Sequence, residues 1–366
     1  MRGVLLALTI FSITANCDAQ KVTSFYEKLH QFSYPENPLP VSCQVYGVSA
    51  EVSNKSIVTI DYRGDRLNLH DLKVLWGGFN PNNGALIPKL RTFKKYGKSK
   101  LPFENGFLLS ITMDDVEVYH KYTGADNTYE LIAAYEYKLS VKHKDQIVVS
   151  DTVKYADVLD TFVSELPEED IHIIATNKAR NLAVNLNEII LKNSVSTFQR
   201  FAKNNVDLVF EKDYIKFYGI TKHKKLSSGE KLKLLNERLH NIKKLDQDRT
   251  NRDAFTNELD DLITSFEELK QSNDYNNNRS FVLYVSSNLA SLYALKEYFG
   301  LAEKHYKEAE QQVERERFRG ILKDEMLKMI RRKKNKSKMF DTDGNFKQEL
   351  STEYLNYYTT KIKIIN

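Results

Sequence analysis

The chain has 366 residues, 41% of them hydrophobic and 28% charged, with a net charge of +5. That length has room for two domains and a sizeable core, and so small a charge is not the footprint of a nucleic-acid binder. Two cysteines exclude a disulfide-stapled scaffold, and the few glycines and prolines exclude a low-complexity chain.

At the N-terminus Arg2 precedes the apolar run Gly3 to Ala15, too short for an ordinary transmembrane helix. The run ends in Asn16-Cys17-Asp18-Ala19-Gln20, where Cys17 and Ala19 are small enough for the −3 and −1 sites of a signal peptidase cutting before Gln20. Residues 1–19 are therefore expected to be a signal peptide and the mature chain to be exported, periplasmic or extracellular. Lipidation of Cys17 is the minority alternative, because that motif wants a small residue before the Cys and Leu three before it, where Asn16 and Thr14 stand. Cleavage leaves Cys43 alone, in the alternating run Val41 to Tyr46, where a buried structural thiol is expected. Sequence fixes no histidine near it.

From Val41 to about Asp151 the pattern is strand-like, with β-branched and aromatic runs cut by turns. Ser56 to Tyr62 alternates and stops at Arg63-Gly64-Asp65, and Phe79-Asn80-Pro81-Asn82-Asn83-Gly84 is dense turn chemistry. Phe107 to Thr112, Val116 to Tyr122, Tyr129 to Val141 and Gln146 to Ser150 complete an antiparallel set, with Lys142-His143-Lys144-Asp145 as a tight hairpin. Ile171 to Ala175 reads as a short strand and Asn177 as the N-cap of a helix running to about Lys203, apolar along Leu182, Leu186, Ile189, Ile190, Phe198 and Phe201. Val206 to Tyr218 returns to the same sheet.

Beyond Gly219 helices dominate. Ser227 with Glu230 is a capping box, followed by the stripe Leu232, Leu235, Leu239 and Ile242. Thr250 with Asp253 opens a second helix, with Phe255, Leu259, Leu262, Phe266 and Leu269 on one face. After a polar loop, Gln271 to Asn278, the segment Asn288 to Ala309 reads as a helical hairpin, and Phe318, Ile321, Leu322, Met329 and Ile330 mark a closing amphipathic helix. The expected fold is an α+β N-terminal domain at 20–222, antiparallel and β-rich with one packed helix. An all-α domain at 226–334 and a basic linker and tail at 335–366 follow.

In the hairpin, Ala290, Tyr293, Phe299, Ala302, Tyr306 and Ala309 match the small-Tyr-aromatic-Ala-aromatic-Ala pattern of the tetratricopeptide repeat, which this segment resembles. The resemblance implies protein–protein interaction, with partner contacts from the first helix at Ser287, Ser291 and Lys296. The preceding pair lacks the pattern, so one good repeat would stack on degenerate ones.

No motif for chemistry stands up. Gly97-Lys98-Ser99 copies the end of a P-loop, but Thr92 occupies the place of its first glycine. Gly47-Val48-Ser49-Ala50-Glu51 lacks the second glycine of a nucleophile elbow. Asp341-Thr342-Asp343-Gly344 has its glycine fourth where an EF-hand needs it sixth, so a turn is expected. The eight histidines show no HExxH or i, i+4 pairing, and no metal or other cofactor is expected. The run Arg331-Arg332-Lys333-Lys334 with Lys336 and Lys338 closes the last helix, either as cations complementing its dipole or as a patch for anionic lipid head groups or an acidic protein surface.

Two function classes follow. The first is a non-catalytic adaptor of a bacterial envelope, gripping a protein partner through its helical half. The second is a carbohydrate-binding or hydrolytic envelope protein with its site in the β-rich domain, near Trp76 and the Gly77-Gly78-Phe79 turn.

Overall fold

The computed structural model describes residues 22–52, 59–62, 65–68, 88–96, 104–113, 116–124, 126–220, 226–246, 252–313 and 316–365. The signal peptide with Cys17, Trp76 and its glycines, the Phe79–Gly84 turn, Gly97-Lys98-Ser99 and Thr250 lie outside the described residues. Two compact units form: residues 22–29 with 212–330, and residues 30–211 with 331–365. The protein is mixed α/β, β-rich in its N-terminal half and helical beyond.

Two strands, β1 (Val22–Ser33) and β10 (Val209–Ile220), pair as a two-stranded sheet. The larger sheet contains β2 (Val45–Val52), β3 (Thr59–Tyr62), β4 (Asp65–Asn68), β5 (Lys94–Lys95), β6 (Gly106–Met113), β7 (Glu117–Tyr122), β8 (Thr128–His143) and β9 (Gln146–Val163). The expected antiparallel set is in fact mixed. β2 lies parallel to both β5 and β6, and β3 parallel to β7, while β8 runs antiparallel to β6, β7 and β9. Neighbouring runs in sequence favour antiparallel pairing, but register is chosen by which faces can be buried together. Along β8 the alternating Leu131, Ala133, Tyr135, Tyr137, Leu139 and Val141 are buried, and Phe107, Leu109, Ile111 and Met113 do the same on β6. The hairpin at Lys142–Asp145 forms, with Lys144 and Asp145 both at positive φ (48° and 63°), the twist a two-residue turn needs.

The expected strand at Ile171 to Ala175 is instead the middle of α1 (Glu168–Asn181). Ile171, Ala175 and Ala179 are spaced by four and buried together, whereas Ile173 is exposed, so the run has helical rather than alternating burial. Asn177 is thus interior to a helix and caps nothing. Next, α2 (Ala183–Val206) lays Leu186, Ile190, Phe198 and Phe201 on the sheet, where the Tyr137 hydroxyl donates to the Ile190 carbonyl at 2.7 Å.

Residues 335–366 are not a linker and tail. The helix α8 (Glu316–Met339) runs through the basic cluster, and α9 (Thr352–Ile365) packs into the core of the β-rich unit through the fully buried Tyr354. The Asp341–Gly344 segment is a turn, in which the Asp341 carboxylate accepts the N–H groups of Asp343 and Asn345.

In the helical unit, α3 (Gly229–Leu245) and α4 (Asp253–Leu269) bury the apolar stripes that their spacing marks. No capping box forms at Ser227, whose hydroxyl donates instead to Asp274. The short α5 (Asn273–Asn277) precedes α6 (Arg279–Leu295) and α7 (Phe299–Gln311). His305 on α7 is buried, with Nε2 3.4 Å from Glu267 and Nδ1 3.1 Å from Glu308, and its ring stacks on Tyr293. Burial, then nearby Lys270, holds the imidazole below its ordinary value, against the pull of the two glutamates. A neutral folded His contributes fully above the unfolded value of about 6.5 and loses that contribution as pH falls through it. Wild type is therefore expected to lose more melting temperature between pH 7.5 and 5 than His305→Gln does; parallel curves would show that His305 does not titrate in this range.

Candidate functional site

A cavity of about 280 Å³ opens in the β-rich unit, between the outer part of the sheet and the C-terminal half of α2. Its apolar wall is Leu139, Val149, Val153 and Phe201. The polar side is built where α2 ends. The last carbonyls of a helix lack partners within it, and here the Glu36 N–H donates to the Asn204 carbonyl at 2.9 Å and the Asn37 N–H to the Asn205 carbonyl at 2.8 Å. The Asn37 side-chain amide also donates to the Asn205 side chain at 2.9 Å. Side-chain amides and backbone are thereby held in fixed positions at the cavity mouth.

Two arginines line it. The Arg331 guanidinium pairs with Glu36 and is neutralised there. Arg200 is exposed, and its guanidinium makes no hydrogen bond or ion pair with any other described residue. Behind the cavity, Thr197 bonds the Tyr155 hydroxyl, and Tyr135, Asp157 and Asn193 form a polar cluster in which the tyrosine hydroxyl donates to the carboxylate. Burial raises the pKa of Tyr135 and Tyr137, so both stay protonated.

The expected partner-binding residues are not available. α6 is buried continuously from Leu283 to Leu292, the signature of a helix enclosed on all sides. Ser287 is fully buried, and the buried Ser291 hydroxyl donates to the Lys216 carbonyl at 2.7 Å. Lys296 pairs with Asp260. Ser287 and Ser291 are therefore enclosed within the helical unit rather than presented to a partner, and Lys296 is engaged by Asp260.

The basic cluster is largely used within the chain. Besides Arg331 on Glu36, Arg332 donates to the Phe32 carbonyl at 2.8 Å and Lys338 to the Glu36 carbonyl. Lys336 lies 5.8 Å from the centre of the Phe340 ring, and Lys333 and Lys334 are exposed. Arg331, Arg332 and Lys338 thus hold the end of β1 and the segment after it rather than present a free cationic face.

Among the described residues no three His, Cys, Asp or Glu side chains converge as a metal site, and no helix is long and apolar enough to cross a membrane. Sequence spacing could not have shown Arg200, which is an ordinary residue on the polar face of an amphipathic helix. Nor could it have shown His143, which the fold brings to Ser42 and to the buried Cys43.

No family model matches the chain, and no curated protein does. Among solved structures it is similar to a neuraminyllactose-binding hemagglutinin homolog from Helicobacter pylori, at 10% identity and a TM-score of 0.22, over 45% of this chain and 94% of that one. It is also similar to a Xanthomonas campestris protein of the DUF330 family, at 13% identity and a TM-score of 0.19, over 47% of this chain and 98% of that one. With α6 enclosed, the repeat resemblance does not hold.

Proposed function

We propose that this is an exported binding protein whose β-rich unit takes a small hydroxylated ligand bearing a carboxylate. The observation that carries the reading is Arg200, a guanidinium with no described partner on the rim of a cavity also lined by side-chain amides, hydroxyls, the Arg331–Glu36 pair and the Asp151 carboxylate. A carboxylate engaged by that planar fork gains two charge-assisted hydrogen bonds. Asn37, Asn204, Asn205 and Ser150 suit hydroxyl groups, because an amide both donates and accepts. The volume lies at the lower end for small-molecule sites and suits something the size of one acidic sugar. The N-terminal apolar run and its small-residue cleavage site support export.

Calorimetric titration with glucuronate and glucose, in parallel, tests the reading. Glucuronate is expected to bind and glucose to bind more weakly. Arg200→Gln is expected to weaken glucuronate by about 10- to 100-fold, the equivalent of one charged hydrogen-bonding group, without shifting the melting temperature, since the side chain is exposed. Equal binding of both sugars, or of wild type and Arg200→Gln, would refute it.

A further inference from the structure

Ser42 lies in the turn before β2, and His143 is the last residue of β8 beside the tight Lys144-Asp145 turn. The His143 Nε2 atom is 2.9 Å from Ser42 Oγ, and its Nδ1 is 2.9 Å from the Gly106 carbonyl oxygen. A carbonyl has no proton to give, so the second contact places the ring proton on Nδ1. The Nε2 lone pair then faces the serine, and the Ser42 hydroxyl donates to it. A hydroxyl, a neutral imidazole and an acceptor that orients the imidazole stand in series, which is the arrangement that activates a serine.

The parts are held firmly. The Cys43 N–H donates to the Pro40 carbonyl at 2.9 Å, and the Ser351 hydroxyl donates to the Cys43 carbonyl at 2.6 Å, fixing the turn on both sides of Ser42. Ser42 and His143 are half-buried, and their neighbours Val41, Gln44 and Lys144 are exposed, so solvent reaches the pair. Cys43 Sγ also lies 3.3 Å from Nδ1, but the thiol is fully buried and burial pushes its pKa up to about 12. It stays protonated and unreactive, which leaves Ser42 as the nucleophile.

We propose that Ser42 and His143 form a nucleophile–base pair that hydrolyses small carboxylic esters at this surface. Ser42 Oγ bonds to the ester carbonyl carbon as its proton passes to Nε2. Collapse breaks the ester C–O bond, and the imidazolium protonates the departing alkoxide to an alcohol. Water then attacks the acyl-serine, giving its proton to Nε2. The carboxylic acid leaves, and Oγ takes the proton back. Ester and water become acid and alcohol, with no further reactant. This site does not involve the cavity or Arg200, so either proposal stands if the other fails.

The full mature chain is to be treated with a fluorophosphonate probe and, separately, with p-nitrophenyl acetate. The expected result is probe mass on the peptide containing Ser42. Ser42→Ala is expected to lose both the label and the serine-dependent hydrolysis while melting as wild type does. His143→Gln is expected to slow labelling by about 100-fold, the size of a general-base contribution. Absence of label on Ser42, or equal labelling in a folded His143→Gln, would overturn the proposal. If His143→Gln does not fold, equal labelling of wild type and a folded His143→Asn would overturn it equally.

Discussion

Tyr354→Ala is expected to destabilise the β-rich unit by about 4–5 kcal/mol, near the upper end for removing a buried aromatic ring. The side chain is fully buried, and its ring meets Phe93 edge-on at 5.1 Å between centroids. Its hydroxyl donates to the Val206 carbonyl at 2.6 Å and accepts the Leu39 N–H at 3.1 Å. One phenol thus joins α9 to the end of α2 and to the segment after β1. Tyr354→Phe keeps the ring but leaves a buried N–H and C=O without that partner, a loss of about 1–3 kcal/mol. Urea denaturation of both variants should show this graded order. A Tyr354→Ala protein with the wild-type midpoint would mean that α9 is not part of the core.

That helix is also where the sequence reads least well. Thr352 to Ile365 follows a basic run and a turn, and nothing local says that it folds back, because the groups satisfying Tyr354 lie 148 and 315 residues away. The helical stripes of α3 and α4 were legible for the opposite reason: four- and three-residue spacing is a local signal, and all nine of the apolar residues so marked are buried. The strand at Ile171 failed because a run of five residues, four of them apolar, satisfies both periods, and only the burial of Ile171, Ala175 and Ala179 together chooses. The antiparallel expectation failed for β2 and β6, which pair in parallel, because the residues between them leave no trace of register. For the sites, the chain separates what matters: Ser42 and His143 are 101 residues apart, and Glu36 and Arg331 are 295 apart. Cys43 was legible as a buried thiol, since an alternating run places it inward, but its histidine neighbour was not.

The tetratricopeptide pattern misled for a physical reason that Asn288 exposes. Small residues at Ala290, Ala302 and Ala309 do mark close helix contact, and all three are fully buried. Close contact between two helices says nothing about what covers their other faces. Here Asn288, also fully buried, donates its side-chain amide to the Tyr218 carbonyl at 2.9 Å, and its side-chain oxygen accepts the Tyr218 N–H at 2.9 Å. The side chain pairs with the β10 backbone as a neighbouring strand would, and so closes the face of α6 that a repeat protein would leave open. Asn288→Ala is expected to cost about 2–4 kcal/mol, the penalty for two buried backbone groups left unpaired. Asn288→Asp is expected to cost more at neutral pH, because a buried charge would face the carbonyls of Tyr218 and Tyr284 that the amide now serves. Protonation makes that side chain a donor again, so the aspartate variant should regain stability as pH falls, whereas the alanine variant should not. Lys304→Gln on exposed α7 surface is the control, with a change within about 0.5 kcal/mol. Equal unfolding midpoints for Asn288→Ala and Lys304→Gln would show that the α6–β10 contact contributes nothing, and α6 would then have a face free for a partner.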